Sequence, residues 1–325
     1  MSNAMLTKAL GMSPVVEQWI DAFIGTRTRH LAVDLATGQV NETLTGLGAE
    51  AGERALAAAG IGPGDIDLVV MGVSMPDALM PATVNMIADR LRIDGVPTYQ
   101  LQSGCTGAMQ ALDVARQMLL GGRARTALVI GGDVCAKHVD LTIDYASLPP
   151  SEMVNTVLFG DGAGAAVLTT VPGAGAVRLH PVLVRLTGLG VPPGQTVEWF
   201  GLGDRRAEVA AVREDYAAIA SRVPVMAAET FREILDARGW APPDLGFVLP
   251  PQLSVKMTQK IMEGLGAVGA EEISCVGDIG NTGNALPFFQ LELLLPRMRG
   301  GDRAVAVSIE SSKWIKAGFS LEKTA

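Results

Sequence analysis

Thr98-Tyr99-Gln100-Leu101-Gln102-Ser103-Gly104-Cys105-Thr106-Gly107-Ala108-Met109-Gln110-Ala111-Leu112 reads as a strand that turns into a helix, with a cysteine at the join. The run 98–102 breaks at Gly104, and Leu112, Ala115, Met118 and Leu119 then recur at helical spacing. A sulfur in the first turn of a helix faces unpaired N–H groups and the positive end of the helix dipole. Cys105 is therefore expected to ionise easily and to act as a nucleophile that carries an acyl group as a thioester. The competing reading is a small, inert, buried thiol. Gly104 and Gly107 weigh against it, because they let a substrate come close to the backbone.

Outward from this join, strands and helices alternate. The pattern predicts a helix over 50–59 ending at Gly60, a strand over 66–73, a helix over 82–91, the strand before Cys105, its helix to Leu120, and a strand over 127–134. Near-continuous apolar strands in a βαβα order belong to an α/β fold with a parallel sheet covered on both faces. Residues 6–11 are expected as a first strand, and the looser stretch 137–155, with Leu148-Pro149-Pro150, as a loop on the substrate side. The glycine-dense segment 159–168 predicts a strand pair with close backbone packing. A phosphate cradle is not expected there, since no lysine with a Ser/Thr neighbour follows. After Pro172-Gly173-Ala174-Gly175 the order restarts: strand 177–186, helix from Arg206, strand 247–249, helix 255–265, strand 273–276, helix 286–298, strand 304–309. This recurrence divides the chain into halves, 5–172 and 173–325, of similar order but without visible identity.

Composition limits the rest. The 325 residues are 48% hydrophobic with a mean hydropathy of +0.29, yet no apolar run is long enough to cross a bilayer. A buried central sheet and an oligomer interface are the expected uses of that apolar content. A net charge of −8 argues against nucleic acid as a partner. It leaves room for docking an acidic carrier through local basic groups: Arg205, Arg206 and Arg213; Lys256 and Lys260; or Arg297, Arg299 and Arg303. Three cysteines, 105, 135 and 275, make no disulfide framework, and no signal peptide is evident, so a reducing cytoplasm is expected. The opening Met1-Ser2-Asn3-Ala4-Met5 reads as an appended remnant before a natural start and is expected to contribute nothing to the fold. No metal site is expected.

Several segments together carry a family resemblance: Asp65-Ile66-Asp67-Leu68-Val69-Val70, Ser74-Met75-Pro76-Asp77, Gly104-Cys105-Thr106-Gly107, Val129-Ile130-Gly131-Gly132-Asp133-Val134, Leu158-Phe159-Gly160-Asp161-Gly162-Ala163-Gly164-Ala165 and Gly280-Asn281-Thr282-Gly283-Asn284-Ala285. In this order the chain resembles the type III ketoacyl-acyl-carrier-protein synthases of the thiolase superfamily. The resemblance implies a five-layered αβαβα thiolase fold of two duplicated halves, usually homodimeric. It also implies a cysteine, here Cys105, acylated from coenzyme A or an acyl carrier protein, and an active-site asparagine, here Asn281. No bound cofactor is implied, since the phosphopantetheine or coenzyme A thioester is the substrate.

The chain departs from that pattern in four places. The family's His-Gln-Ala-Asn stretch aligns with 247–254, Phe-Val-Leu-Pro-Pro-Gln-Leu-Ser, placing Pro251 where the histidine belongs. Proline has no donor for a developing enolate, and such a donor is worth about 3–4 kcal/mol. The glycine-rich oxyanion turn is replaced by Glu310-Ser311-Ser312-Lys313-Trp314, where the Ser312 N–H is expected to pair with that of Cys105. Trp19 keeps the place of an adenine-flanking tryptophan, while Phe23 replaces an arginine. Lys256 stands for another family arginine at the pantetheine entrance. Gln252 and Ser254 are candidate substitute polar contacts, and His138 is the histidine to watch. Met75, Met80, Met86 and Met109 are candidates for an adaptable pocket lining. Together these imply an acyltransferase that moves an acyl group through Cys105 to a second thiol, hydroxyl or amine, in natural-product biosynthesis. The alternatives are decarboxylative condensation with a malonyl thioester and an inactive ketosynthase-like scaffold.

Overall fold

Leu68–Val73, the run Leu-Val-Val-Met-Gly-Val, has every residue buried, as a strand covered on both faces requires. It is β1 of a computed structural model that describes residues 1–148, 153–171, 173, 175–199 and 212–324. The other strands are β2 Thr98–Gln102, β3 Thr126–Asp133, β4 Gly162–Thr169, β5 Val177–Leu179, β6 Leu183–Leu186, β7 Gln195–Val197, β8 Val212–Glu214, β9 Phe247–Leu249, β10 Glu271–Glu272, β11 Arg303–Glu310 and β12 Ile315–Lys323. One sheet has the order β2-β1-β3-β4, with β1 parallel to β2 and β3, and β4 antiparallel to β3. The second has the order β10-β9-β11-β12-β5, with β6 also on β12. Here β9 runs parallel to both neighbours and β12 antiparallel to its own. β7 and β8 form a separate antiparallel pair.

Two helices, Gly107–Leu120 and Leu286–Leu294, lie between the sheets. Helices Leu44–Ala59 and Thr83–Arg90 cover the outside of the first sheet, and Tyr216–Arg238 and Val255–Leu265 pack on the second sheet's outer side. The layers are therefore α, β, α, β, α. A separate core fills each interface. Leu112, Ala115, Phe288 and Phe319 meet in the middle, Leu56, Ile87 and Ile130 on one outside, and Phe231, Ile261 and Val305 on the other. Each fully buried Leu, Ile or Phe contributes roughly 1.5–3 kcal/mol, so the central helices are held from both sides. Gly72 shows how close the middle layer sits, since a Cβ there would collide with the backbone of Gly107 and Ala108.

Several expectations are corrected. Residues 1–5 are part of the fold: Ser2 caps helix Asn3–Ala9, and Asn3 donates to Asp21 and to the Thr26 carbonyl while accepting from Arg29. That cap, with Leu6 and Leu10 one turn apart, makes 6–9 helical and 10–11 a turn where a strand was expected. The parallel sheet is mixed, with antiparallel strands at β4 and β12. The strand pair 159–168 is one strand, β4, paired to β3. The strand 177–186 is split at His180 and Pro181, where proline cannot continue the ladder. The strand 273–276 is replaced by helix Val276–Ile279, because the Gln252 side chain takes the Cys275 and Val276 N–H groups and starts a helix. The helix expected from Arg206 is Tyr216–Arg238, capped by Asp215; Arg205 and Arg206 lie outside the described residues, as do Pro149, Pro150 and Pro172. Among the described residues no helix is long and apolar enough to cross a membrane.

Candidate functional site

The join at Gly104 folds as expected in outline. β2 ends at Gln102, Gly104–Thr106 makes a 3₁₀ turn, and helix Gly107–Leu120 follows. Cys105 thus sits one short turn ahead of the helix, in a cavity of about 30 Å³ with Pro250, Pro251, Gln252, Asn281 and Ser308. That is room for a water or two, so a thioester carbonyl fits beside the sulfur, and a longer acyl chain requires the lining to move. No histidine lines this cavity. His30 is exposed, His138 rests edge-on against Trp199, and His180 is buried beside Glu322 and Trp240. Among the four methionines offered as pocket lining, Met109 is core, Met80 and Met86 are exposed, and none of the four borders the cavity.

Asn281 reaches the cavity because its loop is clamped to β4's approach. Its N–H donates to the Leu158 carbonyl, and its own carbonyl accepts from Gly160. The side-chain Oδ1 accepts the Gly283 N–H at 3.0 Å. Its Nδ2 has no acceptor among the described residues and is the amide donor at the wall. Gln252 also lines the cavity, but its Oε1 is committed to Ser274, Cys275 and Val276, and its buried Nε2 has no partner. Ser254 stands outside the lining as the cap of helix Val255–Leu265, accepting the Met257 N–H. Trp19 and Phe23 stack with centroids 6.1 Å apart. The turn Ile20–Ile24 packs against the helix that carries exposed Lys256. None of these three lines the cavity.

The electrostatics overturn one expectation. The helix dipole does not lower the Cys105 thiol. Burial pushes its pKa well above the ordinary range, and the nearby Glu310 and Asp133 carboxylates and Cys135 push it further. Asp133, 1% exposed, accepts N–H groups from Ser74, Met75 and Asn284 and the Asn284 side chain, stitching the first sheet to the Asn281 loop. Alkylation of free-enzyme Cys105 by iodoacetamide should accordingly be slow at neutral pH. Its rate should climb from about pH 7 to about pH 9 without levelling off, read by peptide mass spectrometry. Cys275, pushed up to about 12 by burial, is an internal control that should stay unmodified.

The residue missed in the sequence is Glu310. It ends β11 and is 1% exposed. Its Oε2 accepts the Cys105 N–H, and its Oε1 accepts the Ser312 N–H at 2.6 Å. The two N–H groups expected to share a substrate oxyanion thus face a common acceptor, and in this state it is a carboxylate of the protein itself. A signal was available: one acidic residue closing the run Ala304-Val305-Ala306-Val307-Ser308-Ile309, whose other members belong in a core. Ser308, which donates from Oγ to the Cys105 carbonyl at 3.0 Å, was also unforeseen.

Comparison with known proteins follows the same outline. The family model described as 3-Oxoacyl-[acyl-carrier-protein (ACP)] synthase III matches residues 99–182. The beta-ketoacyl-[acyl-carrier-protein] synthase III of Neisseria meningitidis serogroup B is 30% identical over 272 residues, 83% of this chain and 78% of the relative. A solved structure described as "AbyA1 - tetronic acid condensing enzyme" is 58% identical, with a TM-score of 0.96 over 99% of this chain and 95% of that one. The 3-oxoacyl-(acyl carrier protein) synthase III of Pseudomonas aeruginosa is 26% identical with a TM-score of 0.83, over 100% of this chain and 94% of that one.

Proposed function

Because this chain belongs to the 3-oxoacyl-[acyl-carrier-protein] synthase III family and has its five-layered thiolase fold, we propose that it is a condensing acyltransferase working through a Cys105 thioester, without decarboxylation. The observation that carries this reading is the cavity itself, where Cys105 is lined by Asn281 and by Pro251, the residue that the resemblance aligns with the family's histidine.

The Cys105 sulfur attacks the carbonyl of a carrier-protein or coenzyme A thioester and expels the donor thiol. Exchange between thioesters is close to isoenergetic, so the acyl-enzyme needs little driving force. Asn281 Nδ2 orients the acyl carbonyl or the incoming acceptor. Trp19, Phe23 and Lys256, on a turn and a helix that pack together, receive the donor's pantetheine arm and phosphate. Decarboxylating a malonyl thioester instead demands a donor on the enolate oxygen, which Pro251 cannot supply.

The likeness to a tetronic acid condensing enzyme narrows the acceptor. A tetronic acid is a five-membered lactone whose assembly from a 2-hydroxyacyl and a 3-oxoacyl unit forms one C–C and one C–O bond. The carbon between the two carbonyls of a 3-oxoacyl thioester is acidic enough to need a base but no loss of CO₂. A hydroxyl on the transferred acyl group then closes the ring on the acceptor thioester and releases its thiol. In this reading the Cys105-bound acyl group passes to carbon, not to the second thiol, hydroxyl or amine expected from sequence.

Incubation with a 2-hydroxyacyl carrier-protein thioester should add the acyl mass to the protein. Further addition of a 3-oxoacyl thioester should discharge it with formation of the lactone. Labelled malonyl thioester should release no CO₂ above background. Enzyme-dependent CO₂ release would reinstate ordinary chain elongation, and absence of any adduct with every donor would leave a non-catalytic scaffold.

A further inference from the structure

Glu310 occupies a position that a structural residue has little reason to hold. Its carboxylate is buried with no cationic partner among the described residues, although burying an unpaired carboxylate is costly. What holds it is the pair of N–H groups from Cys105 and Ser312 and the absence of a side chain at Gly104, where a Cβ would collide with the carboxylate. Gly104 also has φ +50°, a backbone that glycine adopts without strain. The same carboxylate is the charge that most raises the Cys105 thiol after burial itself. One side chain therefore accepts the N–H that must receive an oxyanion and sets its charge beside the thiol of the same residue.

From this coincidence we infer that Glu310 is the base for Cys105 and, in the same motion, the gate of the oxyanion site. The inference rests on the acyl-enzyme reading above. In the free enzyme the carboxylate keeps the Cys105 N–H occupied, and the sulfur keeps its proton. When a thioester enters, the S–H proton passes to Glu310. The thiolate forms the S–C bond, and the carbonyl π pair moves onto oxygen. A neutral carboxylic acid is a weaker acceptor than a carboxylate, so the Cys105 N–H turns from Glu310 to the new oxyanion. As the tetrahedral species collapses, the C–S bond to the donor breaks, and the departing thiolate takes the proton back from Glu310. The second half-reaction runs by the same exchange. Glu310 takes a proton from the acceptor, the acceptor attacks the Cys105 thioester, and the Cys105 sulfur leaves and is reprotonated.

This arrangement also explains how a thiol that burial and two carboxylates keep protonated is put to use. Sulfur and carboxylate share one proton, and the charge moves to sulfur only while a substrate is there to consume it.

The test compares wild-type protein with Glu310→Gln and Glu310→Asp, after confirming by circular dichroism that each is folded. Two rates are read at Cys105: acylation by an acetyl-pantetheine thioester, followed by intact mass, and alkylation by iodoacetamide at neutral pH. Glutamine keeps an acceptor oxygen for one of the two N–H groups and takes no proton from sulfur. Acylation of Glu310→Gln should fall about 100-fold or more, the usual contribution of a positioned base. Alkylation should rise, by about tenfold for each unit that removal of the neighbouring charge lowers the thiol pKa. Glu310→Asp, which keeps a carboxylate, should acylate faster than Glu310→Gln. A purely structural Glu310 predicts both rates falling together, or equal losses in the two variants, and either result would overturn the proposal. Undiminished acylation of Glu310→Gln would overturn the base while leaving the acyl-enzyme reading intact. Failure of wild-type protein to take an acyl group from pantetheine, coenzyme A or carrier donors would remove both.

Discussion

Cys105→Ala should take up no acyl group from any thioester and should lower product formation by at least about 10⁴-fold, the scale of loss when a covalent nucleophile is deleted. The argument is one of alternatives. The cavity offers no second nucleophile, since Asn281 and Gln252 are amides, Pro250 and Pro251 are inert, and the Ser308 hydroxyl is committed to the Cys105 carbonyl. Cys135 and Cys275 are held protonated by burial and lie outside the lining. The exchange removes only one heavy atom from a half-buried position, so the fold should persist with a loss of about 1 kcal/mol. Intact-protein mass after donor incubation, alongside a thermal melt, separates loss of chemistry from loss of structure. A variant that still gains the acyl mass would move the nucleophile elsewhere and undo the functional reading.

Asp133→Ala should be the costliest single change to stability, at about 4 kcal/mol. Four donors lose their acceptor at once: the N–H groups of Ser74, Met75 and Asn284 and the Asn284 side-chain amide. Asn284 would keep its other contacts, to the Ser74 hydroxyl and the Ala108 N–H, but the buried N–H groups left unpaired carry their full desolvation penalty. For a chain of 325 residues that corresponds to a melting temperature lower by roughly 6 °C. Activity should fall as well, because Asn284 is what holds the Asn281 loop against the Cys105 turn. Asp133→Asn keeps two of the acceptor interactions and should lose less. A melting temperature within about a degree of wild type for Asp133→Ala would mean that the four contacts carry no net stability.

Much of this architecture was legible from local pattern. Strand 247–249 and helix 255–265 agree with the structure to the residue, because an apolar triplet and a capped amphipathic run depend on nearby residues alone. The readings that failed depended on distant partners. Residues 273–276 have the composition of a strand, yet a glutamine more than twenty positions earlier caps them into a helix. Residues 315–323 form a central strand that no local alternation announced, since both faces of β12 are covered.

The site divides in the same way. The candidate nucleophile, the asparagine loop and Pro251 are read from the chain in order, because each is a residue identity within a short motif, and the structure brings Cys105, Asn281 and Pro251 to one cavity. The protonation of Cys105 is not, since it depends first on how deeply the fold buries the sulfur and then on which charges it brings beside it. Glu310 is 205 residues away along the chain and Asp133 lies in another strand, yet the charges of both act on the same thiol. Helix-terminus reasoning counted the dipole and had no means of counting those carboxylates. In a buried site of low dielectric, such through-space terms outweigh the local one, and only the packing of β11 beside the Gly104 turn decides them.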